Sequence, residues 1–363
     1  MSIPIQNIYY MLAYAWDKLE EAEVLNVGTD KFDDVFNLLT KVLVNGVNHL
    51  LKRGLDRDYL ENEDLTNRLR GKILFQPSIK QNTFQQALAY CAYDDLSYNV
   101  LHNRLIRAML EKIRNAADLD NELQHEVRQI LARYPAVSTQ GLGLASFKQV
   151  RLHRNNSNYK LLLSICKLIW EELLLIEEVG ERPFKNFVQD KRKMAYLFES
   201  FLLNFYKKHL DRNEWEVKRE GICWLLSSLN LDSDADFIPS MGTDISLISN
   251  KRHIILDAKF YPEALKSRYD KKKLISSNLY QIFSYVQNLR DNSKEIEGVL
   301  VYPEVQQSLS LAYKFQRWDK PLIRAVTVNL NQDWRLIEND LLDLVLKSPS
   351  VRLQKESSFV SVG

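Results

Sequence analysis

Apolar residues recur at helical spacing through much of the first half of the chain. Ile8, Met11, Leu12 and Trp16 predict a helix over 5–25, and Phe36, Leu39, Val42, Leu43 and Val47 predict another over 33–53. The stretch LDRDYLENEDLTNRLRGKILFQPSIK, 55–80, alternates instead and turns at Arg70-Gly71, the pattern of a short strand pair. Helical spacing returns over 98–116 and 119–133. A cluster containing Pro and Gly interrupts it at 134–147, and a long amphipathic helix follows over 156–178.

The polar segment EEVGERPFKN, 177–186, marks a domain boundary, and a helix over 190–211 opens the second half. The period then changes. Short β-type runs stand at 236–248, 252–261, 296–302 and 322–330, with a helix over 272–290 between the second and third and a last helix over 333–347. The order α-β-β-α-β-β predicts a mixed sheet flanked by helices. The fold class is therefore α+β: a mainly helical domain over 1–180 with a short β hairpin, a mixed-sheet domain over 181–348, and a polar tail over 349–363 expected to be disordered.

Composition narrows the classes. At 363 residues, 45% hydrophobic and 26% charged, the chain has the make-up of a soluble globular protein with room for two cores. No run of apolar residues is long enough to cross a membrane, and MSIPIQNIYYMLAYAW lacks the basic start and cleavage site of a signal peptide. Cys91, Cys166 and Cys223 are far apart, which argues against a disulfide framework or a zinc knuckle and for a reducing cytoplasm. The histidines show no HExxH spacing, so a zinc hydrolase is disfavoured. Net charge is only +2, but from Lys251 to Lys273 eight Lys or Arg stand against three acids. Either that run is an ordinary solvated surface or it meets a phosphate backbone, with Lys271, Lys272 and Lys273 as the contacts.

One β-type run carries unusual chemistry. TDISLISNKRHIILDAK, 243–259, climbs through Ile254, Ile255 and Leu256 and stops at Asp257-Ala258-Lys259, with Asp244 thirteen residues upstream. A carboxylate at a buried strand end costs free energy unless it is paired or holds a metal. On adjacent antiparallel strands Asp244 and Asp257 converge on one ion, and magnesium is satisfied by two carboxylates, a carbonyl such as that of Ala258, and waters. Lys259, two residues on, projects from the same face of the strand as Asp257, where a lysine orients water and counters developing charge. Gln281 and Tyr285, four apart, share a face of the following helix. By itself an acid-x-Lys triplet is common and ordinary strand-end chemistry explains it. The neighbouring Asp244 and the Gln281/Tyr285 helix are what raise the nuclease reading.

With these parts assembled, the chain resembles the PD-(D/E)XK nuclease superfamily. Asp244 takes the place of the first acid, Asp257-Ala258-Lys259 that of the (D/E)XK element, and Gln281 with Tyr285 that of the QxxxY helix of the RecB-like branch. IQNIYYMLAYAW, RGKILF, YDDLSYNVLHNRLIRAML, PSMGTDI and NLYQIFSYV further resemble the McrC family, the nuclease subunits of modified-cytosine restriction systems. The first acid follows Thr243 rather than Pro, as the McrC pattern has it. The resemblance implies a Mg²⁺-dependent endonuclease acting on double-stranded DNA, docked through its N-terminal half on a hexameric McrB-like AAA+ ring whose GTP hydrolysis it stimulates. It also implies a metal-proximal role for Glu199 in LFESFL, for which a solvent-facing helix position is the alternative.

The chain has no GxxxxGK[ST] loop, so nucleotide would be bound by the partner. Arg68, Arg70 and Lys72 on the expected hairpin are candidates for contacting the ring. Tyr9, Tyr10, Tyr14 and Trp16 read as helix core rather than a base-stacking platform. Cutting both strands requires two active sites and so two copies at the cut. A non-catalytic adaptor of an NTPase and a stand-alone repair nuclease are the competing readings.

Overall fold

The computed structural model describes residues 3–17, 34–179, 190–226, 238–261, 265–268, 271–289, 293–304, 308–314 and 321–347. The second part of the first expected helix, most of the 177–186 segment and the tail after 348 lie outside the described residues. The chain divides into two compact units, one of Glu21–Pro183 and one of Met1–Glu20 with Phe184–Gly363. Helix α1 (Ile5–Ala15) thus belongs with the C-terminal residues, whereas its position in the sequence had grouped it with the first domain.

The Glu21–Pro183 unit contains α2 (Val35–Arg53), β1 (Asp58–Thr66), β2 (Lys72–Ile73), α3 (Phe75–Lys80), β3 (Ala89–Ser97), α4 (Leu101–Arg114), α5 (Asn121–Arg133), α6 (Leu144–Gln149) and α7 (Tyr159–Val179). The long helices form where the apolar spacing placed them, within three residues at each end. Asp34 and Asp120 cap α2 and α5 by accepting from backbone N–H groups of the first turn. Their apolar faces meet in a core that includes Leu39, Val42, Leu43, Leu105, Met109, Ile165 and Ile169, each fully buried.

The strand pair expected over 55–80 is not a hairpin. β1 and β2 each pair antiparallel with β3, giving the order β1-β3-β2. β3 escaped the sequence reading because AYCAYDDLS alternates only weakly before its acids. Gly71 adopts φ 64°, and a Cβ there would lie 2.2 Å from the Ala92 carbonyl oxygen, so the chain can enter β2 this close to β3 only as glycine.

In the other unit α8 (Lys191–His209) precedes β4 (Glu216–Lys218), β5 (Gly221–Ile222), β6 (Met241–Gly242), β7 (Ile245–Ile248), β8 (Arg252–Ala258), β9 (Leu265–Arg268) and β10 (Lys271–Leu274). Then come α9 (Ser276–Asn288), β11 (Glu295–Pro303), β12 (Ser310–Lys314), β13 (Leu322–Val328) and α10 (Trp334–Leu346). A six-stranded sheet runs β12-β13-β11-β8-β7-β4. β8, β11 and β13 are parallel neighbours, and the other pairs are antiparallel. The mixed sheet expected from the α-β-β-α-β-β order is present, with β4 and β12 added at its edges.

Alternation along β8 sends Ile255 to the face that α9 covers, where it packs with Ile282, Tyr285, Val286, Leu300 and Tyr302. α8 packs on β7 and β8 as well, with Phe198 edge-on to Phe260 at 5.9 Å between ring centres. α9 lies close because β11 carries Gly298 beneath it. A Cβ there would meet Ile282 and Val286 at 2.7 and 2.8 Å. α1 packs on α8, and Tyr14 bonds His209 and Glu338 while its ring packs against Phe201, Phe205 and Trp334. Tyr9 and Tyr14 are thus helix-core residues, as the spacing implied, whereas Tyr10, stacked on Trp334, and Trp16 are half-buried.

Candidate active site

β7 and β8 pair with Ile245 opposite Leu256. One step further along the same register, Asp244 and Asp257 face each other at one end of the hairpin. Asp244 Oδ2 accepts the backbone N–H of Ala258 at 2.9 Å, which fixes the first acid against the second strand. The buried run Ile254–Leu256 carries Asp257 into the protein, where it is 1% exposed. Neither of its carboxylate oxygens accepts a directed hydrogen bond, although Lys259 Nζ stands 2.9 Å from Oδ2. Burial pushes the Asp257 carboxyl up to about 7, with Lys259 pulling down and Asp244 pushing up. Burial alone would lower the Lys259 ammonium, but the Asp257 carboxylate outweighs it and holds that pKa above its ordinary value.

The lysine is aimed from the helix. Its Nζ donates to Gln281 Oε1 at 3.0 Å, Gln281 Nε2 donates to the Tyr285 hydroxyl at 2.8 Å, and Tyr285 donates to the Gly242 carbonyl at 2.9 Å. Gly242 lies two residues before Asp244, so this chain of bonds links Lys259 to the backbone that carries the opposite acid. Asp244, Asp257, Ala258, Lys259, Gln281 and Tyr285 are therefore gathered at one strand end, each from the element its spacing assigned.

Glu199, on α8, sits at the rim. Burial and then the Asp244 carboxylate push its carboxyl upward, against Arg219 and Lys259. Its Oε1 is 2.5 Å from Arg219 Nη2, and it does not join the two aspartates in a three-acid cluster: among the described residues no group of three or more His, Cys, Asp or Glu is placed to hold a metal. The donor set that remains is two carboxylates and a backbone carbonyl. Such a set fits magnesium, which keeps several waters, and Asp257's undonated oxygens give an ion something to satisfy.

Sequence reasoning missed three neighbours. Asn278, buried one turn before Gln281, donates to the buried Tyr302 hydroxyl at 3.2 Å. Its three- and four-residue offsets from Gln281 and Ile282 are a signal that could have found it. Tyr302 and Arg219 carry no such signal, because only strand pairing brings them near.

The basic run divides. Arg252 is committed to the buried Glu297 at 2.9 Å, with Arg324 on the same carboxylate, and Lys259 is part of the site. Lys271, Lys272 and Lys273 lie on β10, which pairs with β9, where the sequence had begun a helix at 272. Arg68, Arg70 and Lys72 belong to the other unit. Arg70 stacks on Tyr93 at 3.4 Å and bonds Asp64, so the β1–β3 sheet holds it, and Lys72 is exposed on β2.

A mixed sheet flanked by helices, with two aspartates and a lysine at one strand end, defines an α+β protein built around a carboxylate-and-lysine site. The model of the McrBC 5-methylcytosine restriction system component family matches residues 6–303, and the chain belongs to that family. It is 31% identical over 343 residues to the type IV methyl-directed restriction enzyme EcoKMcrBC of Escherichia coli strain K12, covering 94% of this chain and 97% of the relative. Among solved structures, a refined half-complex from a tetradecameric assembly of Thermococcus gammatolerans McrB AAA+ hexamers with bound McrC aligns with a TM-score of 0.59. That match covers 94% of this chain and 75% of the other at 18% identity, a likeness of fold.

Proposed function

We propose that the chain is the Mg²⁺-dependent DNA endonuclease subunit of a GTP-dependent restriction complex that cuts DNA bearing modified cytosine. The observation that carries this reading is Asp257: a buried carboxylate with no directed donor, opposite Asp244 and beside Lys259. A protein does not keep such an arrangement for stability, because burial beside a second acid costs the Asp257 carboxylate free energy that its ion pair with Lys259 only partly offsets.

Asp244, Asp257 and the Ala258 carbonyl would hold the cation, which when bound neutralises charge on the phosphoryl oxygens. Lys259, aimed by Gln281, orients the attacking water and offsets negative charge as the phosphodiester bond breaks. Tyr285 keeps the Gly242–Asp244 turn in register with that lysine. Family membership supports the restriction role and the modified-cytosine target. The Thermococcus gammatolerans McrB AAA+ hexamers solved with bound McrC support an assembly of this chain with a hexameric AAA+ ring. The family resemblance adds that this ring is a GTPase, docked on the N-terminal half, whose hydrolysis the chain stimulates.

The test is cleavage of 5-methylcytosine-containing duplex DNA with Mg²⁺, GTP and the partner GTPase, comparing wild type with Asp257→Ala. Wild type cuts, while the variant loses cleavage by at least about a thousandfold and still stimulates GTP hydrolysis. If neither protein cuts and both stimulate, the chain is a non-catalytic adaptor and the nuclease reading fails.

A further inference from the structure

The rim pair of Glu199 and Arg219 is not used by the chemistry above, and its placement is specific. Lys218 pairs with Ser246, and the next-but-one residue, Glu220, accepts the Thr243 N–H at 2.9 Å. Arg219 therefore lies between two cross-strand links, beside the Thr243–Ile245 segment that carries Asp244. One nitrogen of its guanidinium is held 2.5 Å from Glu199 Oε1, yet its side chain remains 47% exposed while that of Glu199 is 25% exposed. An arginine fork held along one edge leaves its other N–H groups open, in the geometry that suits a tetrahedral phosphate oxygen. Charge points the same way. The site and its rim hold three carboxylates, Asp244, Asp257 and Glu199, against two cations, and Lys259 is already spent on Asp257 and Gln281. Among the described residues at this strand end, a polyanion meets Arg219 as a half-exposed cation of the rim.

We propose that Arg219 binds a phosphate of the DNA backbone as it enters the Asp244–Asp257 site, and that Glu199 is a positioning residue that holds the guanidinium in place. This inference rests on the nuclease reading. Glu199 thereby acts on the substrate side of the site through Arg219, and not as a third ligand to the cation.

Binding of the full chain to an unmodified 20-base-pair duplex, with Ca²⁺ in place of Mg²⁺ and salt varied from 50 to 200 mM, tests it without cleavage. Arg219→Met weakens binding by roughly tenfold and flattens the slope of log K against log salt by about 0.9, the signature of one lost phosphate contact. Glu199→Gln, which keeps the cation, holds that slope and stays within about threefold of wild type in affinity. If Arg219→Met does not fold, Arg219→Lys carries the test by keeping the slope while losing affinity. An unchanged slope in Arg219→Met, or equal losses in Arg219→Met and Glu199→Gln, overturns the proposal and leaves the nuclease reading standing. Absence of salt-dependent duplex binding by wild type overturns the Arg219 proposal alone, because the cleavage assay with the partner GTPase decides the nuclease reading separately.

Discussion

At the scale of single residues, Asp257 sets the tension in the site. Its carboxyl is buried and raised to about 7, against 3.8 for an ordinary aspartate. The folded protein therefore binds a proton more readily than the unfolded chain between about pH 4 and pH 7, and stability falls as pH rises through that window. The loss amounts to a few kcal/mol, with about 4 as an upper bound. In metal-free buffer the Tm of wild type should drop relative to that of Asp257→Asn as pH goes from 5 to 8, and Mg²⁺ should raise wild type alone. Parallel Tm curves for the two proteins would mean that Asp257 is not strained. Tyr285→Phe removes the donor to the Gly242 carbonyl and the acceptor for Gln281. It should cost about 1 kcal/mol of stability and lower kcat by on the order of tenfold through misplacement of Lys259 and Asp244. Denaturant unfolding and steady-state cleavage measure the two effects separately, and a variant with full kcat would remove Tyr285 from the site.

Among elements, α9 is decisive because it brings Gln281 and Tyr285 over β8. Its approach depends on Gly298 of β11, where any side chain would press on Ile282 and Val286. Gly298→Val should therefore destabilise by about 1–3 kcal/mol through overpacking. It should also reduce cleavage more than that stability loss explains, since the helix must lift away from Lys259. Unfolding and activity assays at a temperature where the variant is fully folded distinguish the two. A variant that is destabilised yet fully active would show that α9 placement does not limit the chemistry. Beside this helix, the spacing of β7 and β8 was already legible: the thirteen-residue offset of Asp244 and Asp257 places them opposite one another at the hairpin end. β3, β9 and β10 were not legible, because their residues lack the alternation that burial of one face imposes.

For the whole molecule, the N-terminal helix joins the sheet-bearing unit and not its sequence neighbours. Asn7 donates to the Leu330 and Gln332 carbonyls, and Asn204 donates to those of Tyr14 and Ala15. A chain beginning at Phe184 lacks this helix and leaves Phe201, Phe205 and Trp334 uncovered. Residues 184–363 expressed alone should aggregate or unfold without cooperativity, and fusing residues 1–20 to them should restore a cooperative thermal transition. Equal cooperativity with and without those residues would make α1 dispensable.

The sequence by itself determined the long helices, though not the short α3 and α6, together with the α-β-β-α-β-β order of the main runs and the six residues gathered at the strand end. These follow from local periodicity, and a helix face or a strand pair has fixed geometry once its period is known. Tertiary structure alone decided which unit α1 serves, that β1 and β2 both pair with β3, that Arg252 is spent on Glu297, and that Arg219 stands against Glu199. Each of those depends on which distant surface covers a residue. Pairing energies between segments far apart in sequence are set by burial and register, and neither can be read from one segment alone.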